Sequence, residues 1–148
     1  MIRRHIALGL LLCLLASPHL LAASAADLIG HWSVDGDATW KRIQLTPAIA
    51  SKLSGLAPEM IDQIKSVMLT QVAGTSFQFT SDTLISISNG VRREEHYSIA
   101  SISGATITTD TLDDQGKASK STVTVGKDVL EIANAADPTQ VVVLKRAK

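Results

Sequence analysis

The sequence predicts a mainly β fold, an antiparallel meander barrel of about eight strands with a two-helix insertion between strands one and two. Three observations carry this expectation. From Thr75 onward, apolar residues recur with a period of two in short runs, the signature of half-buried strands. The runs are separated by turns too short to cross over a sheet, which forces antiparallel neighbours. Between residues 47 and 73 the apolar period becomes helical. A twisted meander of this size removes its exposed edges by closing, with the last strand paired to the first.

The N-terminus reads as a secretory signal peptide over residues 1–26. Arg3, Arg4 and His5 form a basic head, Ile6 to Ala16 an uncharged apolar run, and Ala23-Ser24-Ala25 an Ala-x-Ala cleavage triplet. The mature chain is expected to begin at Ala26 or Asp27. A membrane anchor fits less well, because the run is too short to span and Pro18 and His19 interrupt it. Cys13 is the sole cysteine and follows Leu10-Leu11-Leu12 inside the run, where a lipidation signal would need a small residue before it. The mature chain therefore has no disulfide and no thiol chemistry. Residues 27–148 make one domain, long enough to fold on an apolar core alone.

Leu28 to Val34 is the first expected strand, and Asp35 to Trp40 ("DGDATW") reads as a turn. The first helix is expected at about 47–54, with Thr46 as N-cap, Pro47 in the first turn and Gly55 past the end. The second is expected at about 58–73, with Pro58 at its start and Gly74 as terminator. Met60, Ile64, Val67 and Met68 form its apolar stripe, widened by Ile61 and Val72. The meander then runs through "SFQFT", "TLISIS", the hairpin signal Asn89-Gly90, "EEHYSIASIS", "ATITTDTL", "KASKSTVTV", "VLEIANA" and "QVVVLKRA". The expected inward side chains are Phe77, Phe79, Ile85, Ile87, Tyr97, Ile99, Ile107, Val123, Val125, Leu130, Ile132, Val141 and Val143.

Composition excludes several classes. Without Arg3 and Arg4, the 14 Lys and Arg fall to 12 against 14 Asp and Glu, a net of about −2 with the charges scattered. Nucleic-acid binding has neither a basic stripe nor stacking aromatics to use. No second apolar run approaches the length of a membrane span. His31 and His96, the two histidines of the mature chain, belong to no ligand spacing, and the acidic turns lack the further carboxylates of a calcium loop, so no metal is expected. No cofactor motif appears. The densest polar stretch is Val91 to Ile99. Strand alternation places Arg92, Glu94 and His96 on one face and Arg93, Glu95 and Tyr97 on the other, the look of a solvated strand beside a turn.

Gly30-His31-Trp32 on the first strand resembles the Gly-x-Trp of the lipocalins and their wider group, the calycins. The resemblance implies that Trp32 plugs the closed end of the barrel and that Arg146, in "VVLKRAK", packs across it. It also implies that the helix pair forms a lid over the mouth, as in the similar fatty-acid-binding proteins.

The function expected from these features is non-enzymatic: an exported, periplasmic or secreted barrel that binds a small hydrophobic or amphipathic ligand under its helices. The cavity lining would be Met60, Ile64, Met68, Phe77, Phe79 and Tyr97, with Arg93 and Glu95 at the mouth to hold a polar head group. The alternative is a solid barrel that acts as a protein-interaction module, an inhibitor or accessory factor. A third reading is an enzyme that uses Glu94, Glu95, His96 and Tyr97 for acid–base chemistry. Fold alone does not choose among them.

Overall fold

The computed structural model describes residues 22–148, so the basic head and apolar run of the expected leader, Cys13 included, lie outside the described residues. A short helix, α1 (Ala25–Leu28), precedes strand β1 (Gly30–Val34). Three helices follow in the chain: α2 (Gly36–Gln44), α3 (Pro47–Leu53) and α4 (Pro58–Val72). Then come β2 (Ser76–Phe79), β3 (Thr83–Ser88), β4 (Val91–Ser103), β5 (Thr106–Leu112), β6 (Ala118–Gly126), β7 (Val129–Asn134) and β8 (Val141–Arg146). The eight strands close in chain order, every pair antiparallel, with β8 returning to β1 through Trp32↔Arg146 and Val34↔Leu144. The closed, mostly β barrel is the architecture the period-two meander predicts. Asn89 and Gly90 turn the β3–β4 hairpin with φ of 51° and 78°, the left-handed pair such a two-residue turn requires.

The reading of residues 35–40 as a turn gives way to a helix. Asp35 is the N-cap of α2, its carboxylate accepting from the Ala38 amide at 3.0 Å. The helix is held where β1 parts from β8. Beyond Val34 no β1 residue pairs with Val143, which is in register with Glu131 of β7 on its other side. This corner supplies the missing partners: the Asp35 amide donates to the Val143 carbonyl at 2.8 Å, and Thr39 Oγ1 accepts from its N–H at 2.9 Å. Thr39 and Trp40 are buried there. Val141 and Val143, expected inside the barrel, lie on its outer face, and α2, packed on β8, gives that wall its cover.

Helix α4 packs in turn on α2. Gly36 makes the close approach possible, since a Cβ there would sit 2.6 Å from Leu69 Cδ2. An ion pair between Lys65 and Asp37 at 3.0 Å ties the two helices and holds the Asp37 carboxyl below its ordinary range. The face of α4 that meets its neighbours carries Ile61, Lys65, Met68, Leu69 and Val72, all half-buried, whereas Met60, Ile64 and Val67 are exposed. The expected stripe is thus rotated by about one residue. Helix α2 lies on the outside of the barrel wall, and α3 and α4 pack on α2.

Inside the barrel, Leu28, Trp32, Phe79, Tyr97, Ile107, Val123, Leu130 and Leu144 make the core. In β3 the inward residues are Leu84, Ser86 and Ser88. Ile85 and Ile87, expected inside, face outward beside Gln78 and Ser76. One end of the barrel is sealed. The Trp32 indole is buried, its Nε1 donates to the Leu28 carbonyl at 2.8 Å, and the Arg146 guanidinium lies 4.2 Å from the ring centroid. Arg146 also donates to the Ile29 carbonyl at 3.3 Å, so the segment before β1 is stitched across this end. That segment includes residues the sequence assigns to the cleavage region. Ala23 is buried, and its amide donates to the Gly104 carbonyl at 2.8 Å.

Candidate functional site

The opposite end, where the β3–β4 and β5–β6 hairpins turn, is open. Its shape follows from strand lengths. β4 is 13 residues long and outruns β5, with which its last pair at this end is His96↔Leu112. Val91 to Glu95 continue along β3 alone. A notch of about 600 Å³ opens between this overhang and the β5–β6 turn, lined by Arg92, Arg93, Glu94, Glu95, Asp113, Asp114 and Gln115. A second cleft of about 460 Å³ lies on the other side of the overhang, lined by Thr75, Phe77, Ser86, Ser88, Asn89, Val91 and Arg93. Arg93 belongs to both.

Electrostatics distinguish the residues of the overhang. Arg92 and Glu94 point to the same face and pair at 2.8 Å. Among the described residues no ion pair engages Arg93 or Glu95, which point inward in register with Ser86 and Leu84. Asp113 is committed to its own turn, its carboxylate accepting from the amides of Gln115 and Lys117 at 3.0 and 2.7 Å. Among the described residues the notch sets two arginines among four carboxylates, whereas Arg93 is the one charged group lining the second cleft.

Below the clefts the inner wall is mostly apolar, with Thr109 and Thr111 of β5 buried in register with Ile99 and Tyr97. Phe77, Leu84 and Ile99 are half-buried and pack on the core beneath them. Phe79 and Tyr97 meet edge to face with centroids 5.5 Å apart, and the Tyr97 hydroxyl donates to the Thr80 carbonyl at 2.6 Å. Burial, with the nearby Asp82 carboxylate second, pushes the Tyr97 phenol above its ordinary value of 10.0. The neutral phenol is therefore favoured by the folded state. Its contribution to stability is complete below the unfolded pKa and is lost as pH rises through the folded one. Tyr97 is the only tyrosine, so tyrosinate absorbance reads it alone. An alkaline titration is expected to give a midpoint above that of the urea-unfolded chain. Equal midpoints would place the phenol in water.

The residues expected to form the site divide between several places. Phe77 and Arg93 come together in one cleft, and Glu95 joins Arg93 in the other. Phe79 and Tyr97 lie deeper, in packed core. Met60, Ile64 and Met68 stay on α4, and no residue of α2, α3 or α4 lines either cleft. Trp32 and Arg146 are at the sealed end. Glu94 and Glu95 line the notch, but His96 is exposed on the outer face and Tyr97 is inside, so the acid–base cluster does not converge. The hydroxyls of Thr75, Ser86 and Ser88 escaped the sequence reading, although the Ser alternation of "TLISIS" marked a polar face. Among the described residues no three His, Cys, Asp or Glu gather as a metal site, and no helix is long and apolar enough to cross a membrane. No family model, no curated protein and no solved structure matches this chain.

Proposed function

We infer that this is an exported, non-enzymatic barrel that binds a small amphipathic ligand at its open end. The observation that supports the reading most is the second cleft, where an Arg93 without an ion-pair partner among the described residues shares a wall with Phe77 and three hydroxyl side chains. A guanidinium with free donors suits an anionic or strongly polar head group, and the ring beside it suits an apolar body. The helices are no part of this site and serve as wall rather than lid. Export follows from the leader-like N-terminus, with the folded domain released to the periplasm or beyond.

Anilinonaphthalene sulfonate, an anionic amphiphile, is a direct probe. Arg93→Gln is expected to weaken its binding about tenfold, about 1.4 kcal/mol, for one lost charge-assisted contact. Phe77→Trp, which fills the cleft, is expected to weaken it as well, while Met60→Ser leaves it unchanged. Binding that survives both cleft substitutions and falls with Met60→Ser would transfer the reading to α4. There Met60, Ile64 and Val67 are 51, 41 and 53% exposed, which favours the second reading, a protein-interaction module.

A further inference from the structure

We propose that the leader is removed between Ala22 and Ala23, and not after the Ala-x-Ala triplet that ends at Ala25. The proposal rests on the export reading above. Its ground is what residues 23–28 do in the folded domain. The Ala23 amide donates to the Gly104 carbonyl at 2.8 Å, and its side chain, 8% exposed, packs in the same core cluster as Leu28 and Trp32. Ser24 and Asp27 form a capping box on α1. The Asp27 carboxylate accepts from the Ser24 amide at 2.7 Å and from the Ser24 hydroxyl at 3.0 Å. Four residues of helix have no stability of their own, so these contacts set the position of Leu28. Leu28 is fully buried and its carbonyl receives the Trp32 indole N–H.

Cleavage after Ala25 would delete the Gly104 bond, the Ala23 core contact and the cap together. Cleavage after Ala23 would still delete the first two. Ala22, by contrast, is exposed. Ala22 supplies the small residue directly before the cut, and Leu20, two places ahead, is uncharged though larger than the Ala of an Ala-x-Ala site. The leader peptidase of an exporting cell acts on the unfolded chain during translocation, so burial of Ala23 in the final fold is no obstacle. Water adds across the Ala22–Ala23 amide, leaving a carboxylate on Ala22 and an ammonium on Ala23. That ammonium then makes a charge-assisted form of the bond to Gly104, one residue from the amide that the Asp27 carboxylate holds.

The test is expression of the full chain in a Gram-negative host, followed by cell fractionation, intact mass and N-terminal sequencing. The expected mature protein starts at Ala23. Ala25→Leu, which spoils the triplet at an exposed position, is expected to give the same start and yield. Ala22→Leu is expected to leave most of the chain as precursor. A periplasmic product starting at Ser24, Ala26 or Asp27, or a block by Ala25→Leu, overturns the placement and leaves export standing. An uncleaved chain kept in the cytosol or membrane overturns the export reading and this inference with it.

Discussion

Replacing Trp32 by Ala lowers the free energy of unfolding by about 3–5 kcal/mol, the range for truncating a fully buried large aromatic. Trp32 is 1% exposed and is the largest fully buried side chain among the described residues. Its removal leaves a void that the barrel wall, held in register on both sides by β2 and β8, is poorly able to collapse. It also strips the Leu28 carbonyl of its donor. Urea unfolding followed by circular dichroism gives the number. Trp32→Phe, which keeps most of the volume and loses the hydrogen bond, is expected to cost about half as much or less. A loss below about 1 kcal/mol for Trp32→Ala would mean that the sealed end is not part of the cooperative core.

Gly30→Ala is expected to cost about 1–3 kcal/mol through its backbone alone. Gly30 has φ of +132°, in a region that side chains rarely enter. The added Cβ would also sit 2.8 Å from Arg146 Nη1, so the guanidinium must shift from its place over the indole. The far end of a long side chain moves easily, and backbone strain is therefore the larger cost. A double-mutant cycle with Arg146→Gln separates the two. Near-additivity identifies the backbone as the source. A Gly30→Ala penalty that vanishes in the Arg146→Gln background identifies the stack instead. The Gly of Gly-x-Trp thus has a physical reason beside the Trp: one supplies the plug, the other the turn of the chain that lets the plug seat.

The strands and the later helices were legible because their signals are local. Pro47 and Pro58 open α3 and α4, and the Asn89-Gly90 pair turns a hairpin, as expected of those residues. The assignment of faces held for β2 and for β4 to β7, whose expected inward residues lie in or against the core, and failed in β3 and β8. Period-two alternation states that two faces differ, not which is inside. In β3 the inner face near the mouth carries Ser86 and Ser88 while Ile85 and Ile87 lie outside, so the apolar set marks the wrong side. In β8 both faces are apolar because α2 covers the outer one, and α2 itself was hidden behind Asp-Gly-Asp, which mimics a turn. The signal that was present is Asp35 as a cap, followed by Thr39, Trp40 and Ile43 at helical spacing. Of the candidate site, the opposed directions of Arg93 and Arg92 were readable from alternation. The overhang that opens the clefts was not, because it depends on where β5 stops pairing.

Both ends of the described chain fasten at the same pole. The Ala23 amide reaches Gly104 at the β4–β5 turn, and the Ala147 amide donates to the His31 carbonyl at 2.9 Å. The clefts lie at the other pole, one barrel length away. An affinity handle, a fluorescent label or a surface linker joined at either terminus therefore leaves the mouth facing solution. Immobilised by its ends, the molecule stands like a cup on its base, and a sensor chip prepared either way presents the same rim to whatever is passed over it.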